Sequence, residues 1–208
     1  MAVREAKSAR TRRRILDAAA EVFSEQGYTA RLSDIADRAG MKAGSLYYHF
    51  DSREDLVAEV LRLGIEGAWD HVAAAVGRLP STATPVQRLE AAIRAHTLSI
   101  VGRSAYATAQ ARIVGSLPPD LVRAHRKDQR AYGEYWRDLF EATRRAGLVN
   151  GEVDLFVAQM LAFGAMNWTS EWYRPDSGMT PEALADQAVL VLLHGVVGLS
   201  STVARPRR

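Results

Sequence analysis

Apolar residues recur every three to four positions along most of the chain, and no stretch alternates convincingly between apolar and polar residues. The first spacing is typical of amphipathic α-helices, whereas alternation is typical of half-buried strands. The pattern therefore predicts an all-α protein of about nine helices. These helices are expected over roughly residues 8–27, 32–39, 43–49, 53–79, 85–101, 104–115, 118–146, 154–173 and 181–199.

Capping signals mark several of the predicted boundaries. Thr84 precedes Pro85, and Gln87 follows three residues after Thr84. That combination is typical of a helix start, with an N-cap, a proline in the first turn and a capping box. Gly27 stands where a C-terminal cap is expected. The helix predicted after Ser52 would be about 40 Å long at 1.5 Å per residue, long enough to bridge two domains.

Residues 31–50 read RLSDIADRAGMKAGSLYYHF, and they contain the spacing of a helix-turn-helix motif. Ala36 is small where the two helices would cross, and Gly40 can adopt the left-handed conformation of the turn. The second helix, about 43–49, could then lie in the major groove of DNA. Packed helical hairpins often carry small residues at such positions, so the spacing alone leaves a purely structural hairpin equally open.

The distribution of charge favours DNA binding over the structural hairpin. Residues 1–53 carry ten lysines and arginines against seven acidic residues, whereas residues 54–204 carry fourteen against seventeen. A basic end module suggests a polyanionic partner, although a solvated basic arm explains the charge alone equally well. Arg10 and Arg12–Arg14 lead into the first helix. Arg53 is a cation at the positive end of a helix dipole, which a shared phosphate would explain.

Residues 8–60 include the segments TRRRILDAAAEVFSEQGY, DIADRAG, GSLYYHF and SREDL, and they resemble the N-terminal domain of TetR-type transcriptional repressors. The resemblance implies a DNA-binding domain over residues 1–53 and an effector-binding and dimerisation domain over 54–208. Within the family, residues at the places of Tyr47 and His49 typically reach backbone phosphates. The implied DNA-contacting residues are Arg31, Ser33, Lys42, Ala43, Gly44, Ser45, Tyr47, Tyr48, His49 and Arg53.

The family pattern does not match everywhere. The position of Lys42 is usually serine, which caps the helix and contacts a phosphate, whereas a lysine can bind a phosphate but cannot cap. The usual threonine contact before the second helix is missing, so Arg31 and Ser33 are offered in its place.

The segment NWTSEWYRPDSGMT is similar to a branch of the family that includes regulators of fatty-acid, phenylacetate and steroid catabolism. Several members of that branch respond to acyl-CoA thioesters, so the resemblance implies a small apolar effector, with an acyl-CoA as one candidate. Aromatic residues beside an amide and a cation would suit such a pocket, although core packing is the simpler explanation for each aromatic singly. The expected pocket residues are Tyr106, Arg112, Tyr132, Trp136, Phe163, Asn167, Trp168 and Trp172.

Other residues could complete such a pocket. Arg103, Arg112 and Arg123 could meet CoA phosphates at its mouth, and solvated arginines are the alternative. His96 or His125 could line it, although both can equally be ordinary helix residues.

The last predicted helix contains ALADQAVLVLLHGVVGL, which is too apolar around its circumference for a one-sided surface helix. We therefore expect a homodimer in which the last two helices of each subunit form a four-helix interface that includes Gly164, Leu192 and Val196. A dimer would place two recognition helices about one DNA turn apart, as a palindromic operator requires.

Several classes of function are disfavoured. The chain contains no cysteine, which excludes disulfides and thiolate metal sites and fits a cytoplasmic protein. The five histidines lie on different predicted helices, and no HExxH, phosphate loop or nucleophile elbow occurs. We expect no enzyme, metal or cofactor, and neither a membrane span nor a secretory signal. The rival hypothesis is a helical acyl-CoA- or lipid-binding enzyme whose N-terminal hairpin is purely structural.

Overall fold

The structure is a computed structural model that describes residues 2–102 and 104–195, with side chains from residue 6 onward. Every regular element in these ranges is helical, which confirms the predicted all-α class. The α-helices are α1 (Ala2–Gln26), α2 (Leu32–Arg38), α3 (Arg53–Gly77), α4 (Pro85–Val101), α5 (Ala105–Ile113), α6 (Pro119–Arg145), α7 (Leu155–Trp172) and α8 (Pro181–Val189). Three short segments complete the fold: 3-10 helices at Ala43–Tyr48 and Val114–Ser116, and a π-helical turn at Leu190–His194.

Most observed helix boundaries lie within a few residues of the predicted ones. Side-chain caps mark several of these boundaries. The Thr84 N–H donates to Gln87 Oε1 at 2.9 Å, and the Gln87 N–H donates to Thr84 Oγ1 at 3.2 Å. The predicted capping box is therefore confirmed. Gly27 has φ +78°, and its N–H donates to the Phe23 carbonyl at 2.9 Å, as expected of a residue that ends a helix.

Two predicted helices differ from the structure. Residues 43–49 were expected to form a helix like the others, but Ala43–Tyr48 is a 3-10 helix. Lys42 precedes it without a side-chain cap, so the segment begins with the tighter bond from the Ser45 N–H to the Lys42 carbonyl at 2.8 Å. In the described part of the last predicted helix, 181–199, Pro181–Val189 is α-helical and Leu190–His194 is a π-helical turn. Val196, expected in the dimer interface, lies outside the described residues.

The buried apolar residues form two main cores that share α3. The first core joins α1, α2, the 3-10 helix and the start of α3, with Phe23, Ile35 and Leu46 at its centre. Ala109 and Ile113 of α5 also lie in this core. The second core joins the remainder of α3 with α4, α6 and α7, around residues such as Trp136. The helix α3 therefore connects the two cores, and α5 packs directly on the first.

None of the helices in residues 2–102 and 104–195 is both long and apolar enough to cross a membrane.

Candidate DNA-binding and effector sites

The turn between α2 and the 3-10 helix has the geometry that its small residues allow. Ala36 is completely buried where the two elements meet, and Gly40 has φ +66°, a value that L side chains rarely adopt. The Met41 N–H donates to the Ala36 carbonyl at 2.9 Å and closes the turn. Because Leu46 is buried in the first core, the opposite face of the 3-10 helix points outward.

The first 3-10 helix, Ala43–Tyr48, presents two large aromatic side chains to solvent. Tyr48 is 88% exposed and Tyr47 is also exposed, although neither has a hydrogen-bond partner among the described residues. Lys42, Ala43 and Gly44 are exposed, and Ser45 and His49 are half-buried. This surface offers hydroxyl groups, an ammonium group and an imidazole to a partner, which are the groups that contact DNA phosphates and base edges.

Arg53 is half-buried and makes its contacts within the protein. Its guanidinium donates to the backbone carbonyls of Tyr28 and Ala30, and it lies 4.4 Å from the centre of the Tyr28 ring. These contacts tie α3 to the loop between α1 and α2. They give the cation at this helix end partners within the protein, so a shared phosphate is not needed to explain its position.

The remaining predicted DNA contacts near α2 and α1 differ in their availability. Arg31 is exposed, whereas the Ser33 hydroxyl donates to Asp34 Oδ1 at 3.2 Å. In α1, Arg12 donates to Glu59 Oε1 at 2.8 Å and lies over the Phe50 ring. The Glu59 pKa falls to about 2, first because of hydrogen bonding to Arg62 and then to Arg12. Arg12 therefore holds α1 against α3.

A cavity of about 1060 Å³ lies between α3, α4, α5, α6 and α7. Four of the predicted pocket residues line it: Arg112, Tyr132, Phe163 and Asn167. Most of the wall is not predictable from the sequence, because it comes from five helices whose mutual placement the apolar spacing does not show. The added lining residues include Ile65, Ala68, Ile100, Thr108, Gln110, Gln129, Gln159, Met160, Glu171 and Arg174. Of the two candidate histidines, His96 lines the cavity, and His125 is buried outside its lining.

Four predicted pocket residues do not line the cavity. Trp136 is 0% exposed in the second core, where its ring lies 5.2 Å from the Phe163 ring. Tyr106 faces α1 instead, since its hydroxyl donates to Asp17 Oδ1 at 2.7 Å. Both aromatics make their contacts within the protein, outside the cavity lining.

Trp168 and Trp172 lie on the outer face of α7 and are 65% and 50% exposed. They share a helix face, as their spacing of four residues predicts. Adjacent helical residues point in directions about 100° apart, so Asn167 lines the cavity whereas Trp168 does not. Neither tryptophan is among the residues that line this cavity.

The outer face of α7 carries further apolar side chains. Val157, Leu161, Gly164, Trp168 and Trp172 follow one another at spacings of three or four residues, and all are exposed. A Cβ added to Gly164 would meet no atom of the described residues within 4 Å, so another helix could approach closely there.

The π-helical turn at Leu190–His194 extends this surface. Leu190 and Val191 are exposed, whereas Leu192 is half-buried against the second core. Leu190 and Val191 are therefore more available than Leu192 for a contact with another subunit.

The cavity wall includes a buried hydrogen-bond network. His96 Nδ1 lies 2.9 Å from the Tyr132 hydroxyl, and His96 Nε2 lies 3.1 Å from Asn167 Oδ1. Burial lowers the pKa of His96 to about 4 and raises the pKa of the Tyr132 hydroxyl above its usual value. Both side chains are therefore neutral at pH 7.

The charged groups of the cavity are few. Arg112 and Arg174 line it together with Glu171. Of the other two predicted arginines, Arg123 pairs with Asp120 at the surface, and Arg103 lies outside the described residues.

The helix α5 separates the cavity from the first core. Ala107, Gln110 and Ala111 line the cavity, whereas Ala109 and Ile113 are buried in the first core. Any change in the cavity that moves α5 must therefore also disturb its packing on α1.

Comparison with known proteins identifies the molecule. Residues 15–60 match the family model of bacterial regulatory proteins of the tetR family, and residues 82–196 match that of the tetracyclin repressor-like C-terminal domain. The chain belongs to the TetR family. It is a DNA-binding regulator rather than an enzyme, so the rival hypothesis of an acyl-CoA- or lipid-binding enzyme is wrong.

Relatives in the TetR family match nearly the whole chain. The HTH-type transcriptional repressor KstR2 of Rhodococcus jostii (strain RHA1) is 31% identical over 188 residues, covering 89% of this chain and 90% of that protein. The TetR-family regulator PfmR from Thermus thermophilus has 27% identity and a TM-score of 0.74, covering 88% of this chain and 98% of its own. AibR, solved in complex with isovaleryl coenzyme A and operator DNA, has 25% identity and a TM-score of 0.77 at the same coverage.

Proposed function

We propose that this TetR-family protein is a cytoplasmic repressor that binds a palindromic operator as a homodimer and releases it when an acyl-CoA thioester occupies the cavity. The observation that carries the proposal is the position of α5, which lines the cavity with one face and packs on the first core with the other. A ligand that moves α5 would therefore disturb the core that supports the proposed DNA-binding surface.

The exposed surface of the 3-10 helix supports the DNA-binding half of the proposal. Lys42, Tyr47 and His49 would contact phosphates and set the orientation of the helix on the duplex. Ser45 would contact base edges in the major groove and contribute sequence preference. Arg31, before α2, is also exposed and can add a further phosphate contact.

The outer face of α7 supports the homodimer. A contiguous exposed apolar surface on a protein of this size is typical of an interaction site. Pairing this face with its copy about a two-fold axis would bury Trp168 and Trp172 of each subunit. The same axis would relate the two DNA-binding surfaces, which matches the symmetry of a palindrome.

The chemistry of the cavity supports an acyl-CoA. Ile65, Ala68 and Phe163 provide apolar walls for an acyl group. The cavity volume of about 1060 Å³ lies close to the upper limit for small-molecule sites. Arg112 and Arg174 supply cations for phosphate groups. The similarity to AibR, whose complex contains isovaleryl coenzyme A, covers nearly the whole chain and favours the same ligand class.

Coupling between the two sites would use both α3, which belongs to both cores, and α5. A ligand shifts a conformational equilibrium only by its difference in affinity for the two states. The effector would therefore favour a position of α5 that is incompatible with the spacing of the two recognition helices on the operator.

A mobility-shift experiment with the DNA upstream of the protein's own gene tests this proposal. We expect retarded DNA that is released by medium-chain or branched acyl-CoA thioesters and not by the corresponding free acids. Tyr47→Phe should weaken DNA binding by roughly 1 kcal/mol if its hydroxyl meets a phosphate, and Ser45→Ala should change the ranking of operator variants. Release by the free acid alone would contradict the assignment of the effector class.

A further inference from the structure

A chain of three polar side chains leads from the second core into the cavity. The Tyr132 hydroxyl, the His96 ring and the Asn167 amide are joined by contacts of 2.9 and 3.1 Å. Tyr132 and His96 are buried, whereas Asn167 is exposed at the cavity. A ligand in the cavity would therefore meet the amide at the end of this chain.

The direction of the hydrogen bonds follows from the donors and acceptors present. His96 is neutral at pH 7, so one ring nitrogen donates and the other accepts. Among the residues that the structure describes, His96 Nδ1 is the one acceptor for the buried Tyr132 hydroxyl. The reverse direction would leave that O–H group buried without an acceptor, which is costly.

The amide of Asn167 is consequently oriented. Tyr132 donates to Nδ1, the ring proton lies on Nε2, and Nε2–H donates to Asn167 Oδ1. The Asn167 NH₂ group then has no acceptor among the described residues and remains available at the cavity. Asn167 can donate there, but its carbonyl oxygen is already engaged.

We infer that Asn167 selects effectors that present a carbonyl oxygen on an otherwise apolar body, and that Tyr132 and His96 act as positioning residues that fix the amide as a donor. This inference rests on the proposed function only in taking the cavity as the effector site. The cavity wall beside this chain also carries apolar side chains, including Phe163, whose ring lies 5.3 Å from the His96 ring. A ligand without an acceptor would leave the NH₂ group without a hydrogen-bond partner in the ligand, which lowers its affinity relative to a carbonyl compound.

The tautomer of His96 gives a test that needs neither ligand nor DNA. Nitrogen-15 NMR of the labelled protein at pH 7 should show His96 with its proton on Nε2. The Tyr132→Phe variant, which cannot donate to Nδ1, should show a mixture of the two tautomers. A proton on Nδ1 in the wild-type protein would overturn the inference.

Matched small probes test the selection itself. Cyclohexanone and methylenecyclohexane share their shape but differ in the carbonyl oxygen, and ligand-observed NMR can compare their affinities. The ratio of ketone to alkene affinity should fall about fivefold in Asn167→Leu, the value of one neutral hydrogen bond. Taking the ratio removes the intrinsic difference in hydrophobicity between the two probes.

Thr108→Val is the matched control, because Thr108 also lines the cavity and has no side-chain hydrogen bond to the described residues. Its ratio should equal that of the wild type. An unchanged ratio in Asn167→Leu, or an equal fall in Thr108→Val, would overturn the inference. Neither test measures DNA release, so a failed effector response would contradict the proposed function while leaving these results intact.

Discussion

Replacing Trp168 by alanine should separate the proposed dimer. The side chain is 65% exposed in the single subunit. With about 200 Å² for a tryptophan side chain, the substitution removes roughly 100 Å² of buried apolar surface from each subunit of a dimer. At about 25 cal/mol per Å² this is ~2.5 kcal/mol per subunit, or ~5 kcal/mol per dimer. Since 1.4 kcal/mol is a factor of ten, the dimer dissociation constant should rise by at least about a thousandfold.

Sedimentation velocity over a range of protein concentrations measures this change. Leu148→Ala is the matched control, because Leu148 is also a large exposed apolar residue but lies between α6 and α7, away from the outer face of α7. Its dissociation constant should equal that of the wild type. Trp168→Ala should also weaken operator binding, and acyl-CoA binding should persist because Trp168 does not line the cavity. Equal dissociation constants for the two variants, or a wild-type monomer at micromolar concentration, would refute the reasoning.

Three further predictions concern DNA contacts, coupling and pH. Lys42→Ala should reduce the slope of log affinity against log salt by about one unit in titrations of operator DNA, and an unchanged slope would remove Lys42 from the phosphate contacts. Tyr106→Phe loses the hydrogen bond to Asp17 and should lower the free energy of unfolding by about 1 kcal/mol in urea titrations. It should also reduce the fold-change in DNA affinity that the effector causes, and an unaltered fold-change would exclude this contact from the coupling. Burial lowers the pKa of His96 from 6.5 to about 4, so His96 takes up a proton at higher pH in the unfolded chain than in the folded protein. The free energy of unfolding should therefore fall as the pH is lowered from 6.5 to 4, by up to ~3 kcal/mol. His96→Gln should flatten this dependence in urea unfolding, whereas His71→Gln, at an exposed position, should not.

Local features of the fold could be predicted from the sequence because they depend on neighbouring residues. The capping box at Thr84 and the left-handed glycine at Gly40 are determined within a few positions of the chain. The apolar spacing also located the helix-turn-helix, since Ala36 and Leu46 must both be buried for its helices to cross.

The cavity could not be predicted to the same extent, because its wall depends on how five helices rotate about their own axes. Asn167 and Trp168 are neighbours in sequence, yet one lines the cavity and the other lies on the outer face of α7. When both faces of a helix are apolar, as in α7, the spacing of its aromatic residues does not show which face points into the protein. His96 was an open candidate for the same reason, and its partners lie 36 and 71 residues away in the chain.

The central claim, that the cavity and the DNA-binding surface are coupled, is tested most directly by calorimetric titration of one acyl-CoA into the free protein and into the protein saturated with operator DNA. Coupling of binding sites is reciprocal, so an effector that weakens DNA binding must itself bind more weakly to the DNA complex. We predict at least about tenfold tighter binding to the free protein, in line with typical coupling energies of 1–3 kcal/mol. Equal affinity for the two forms would contradict the account.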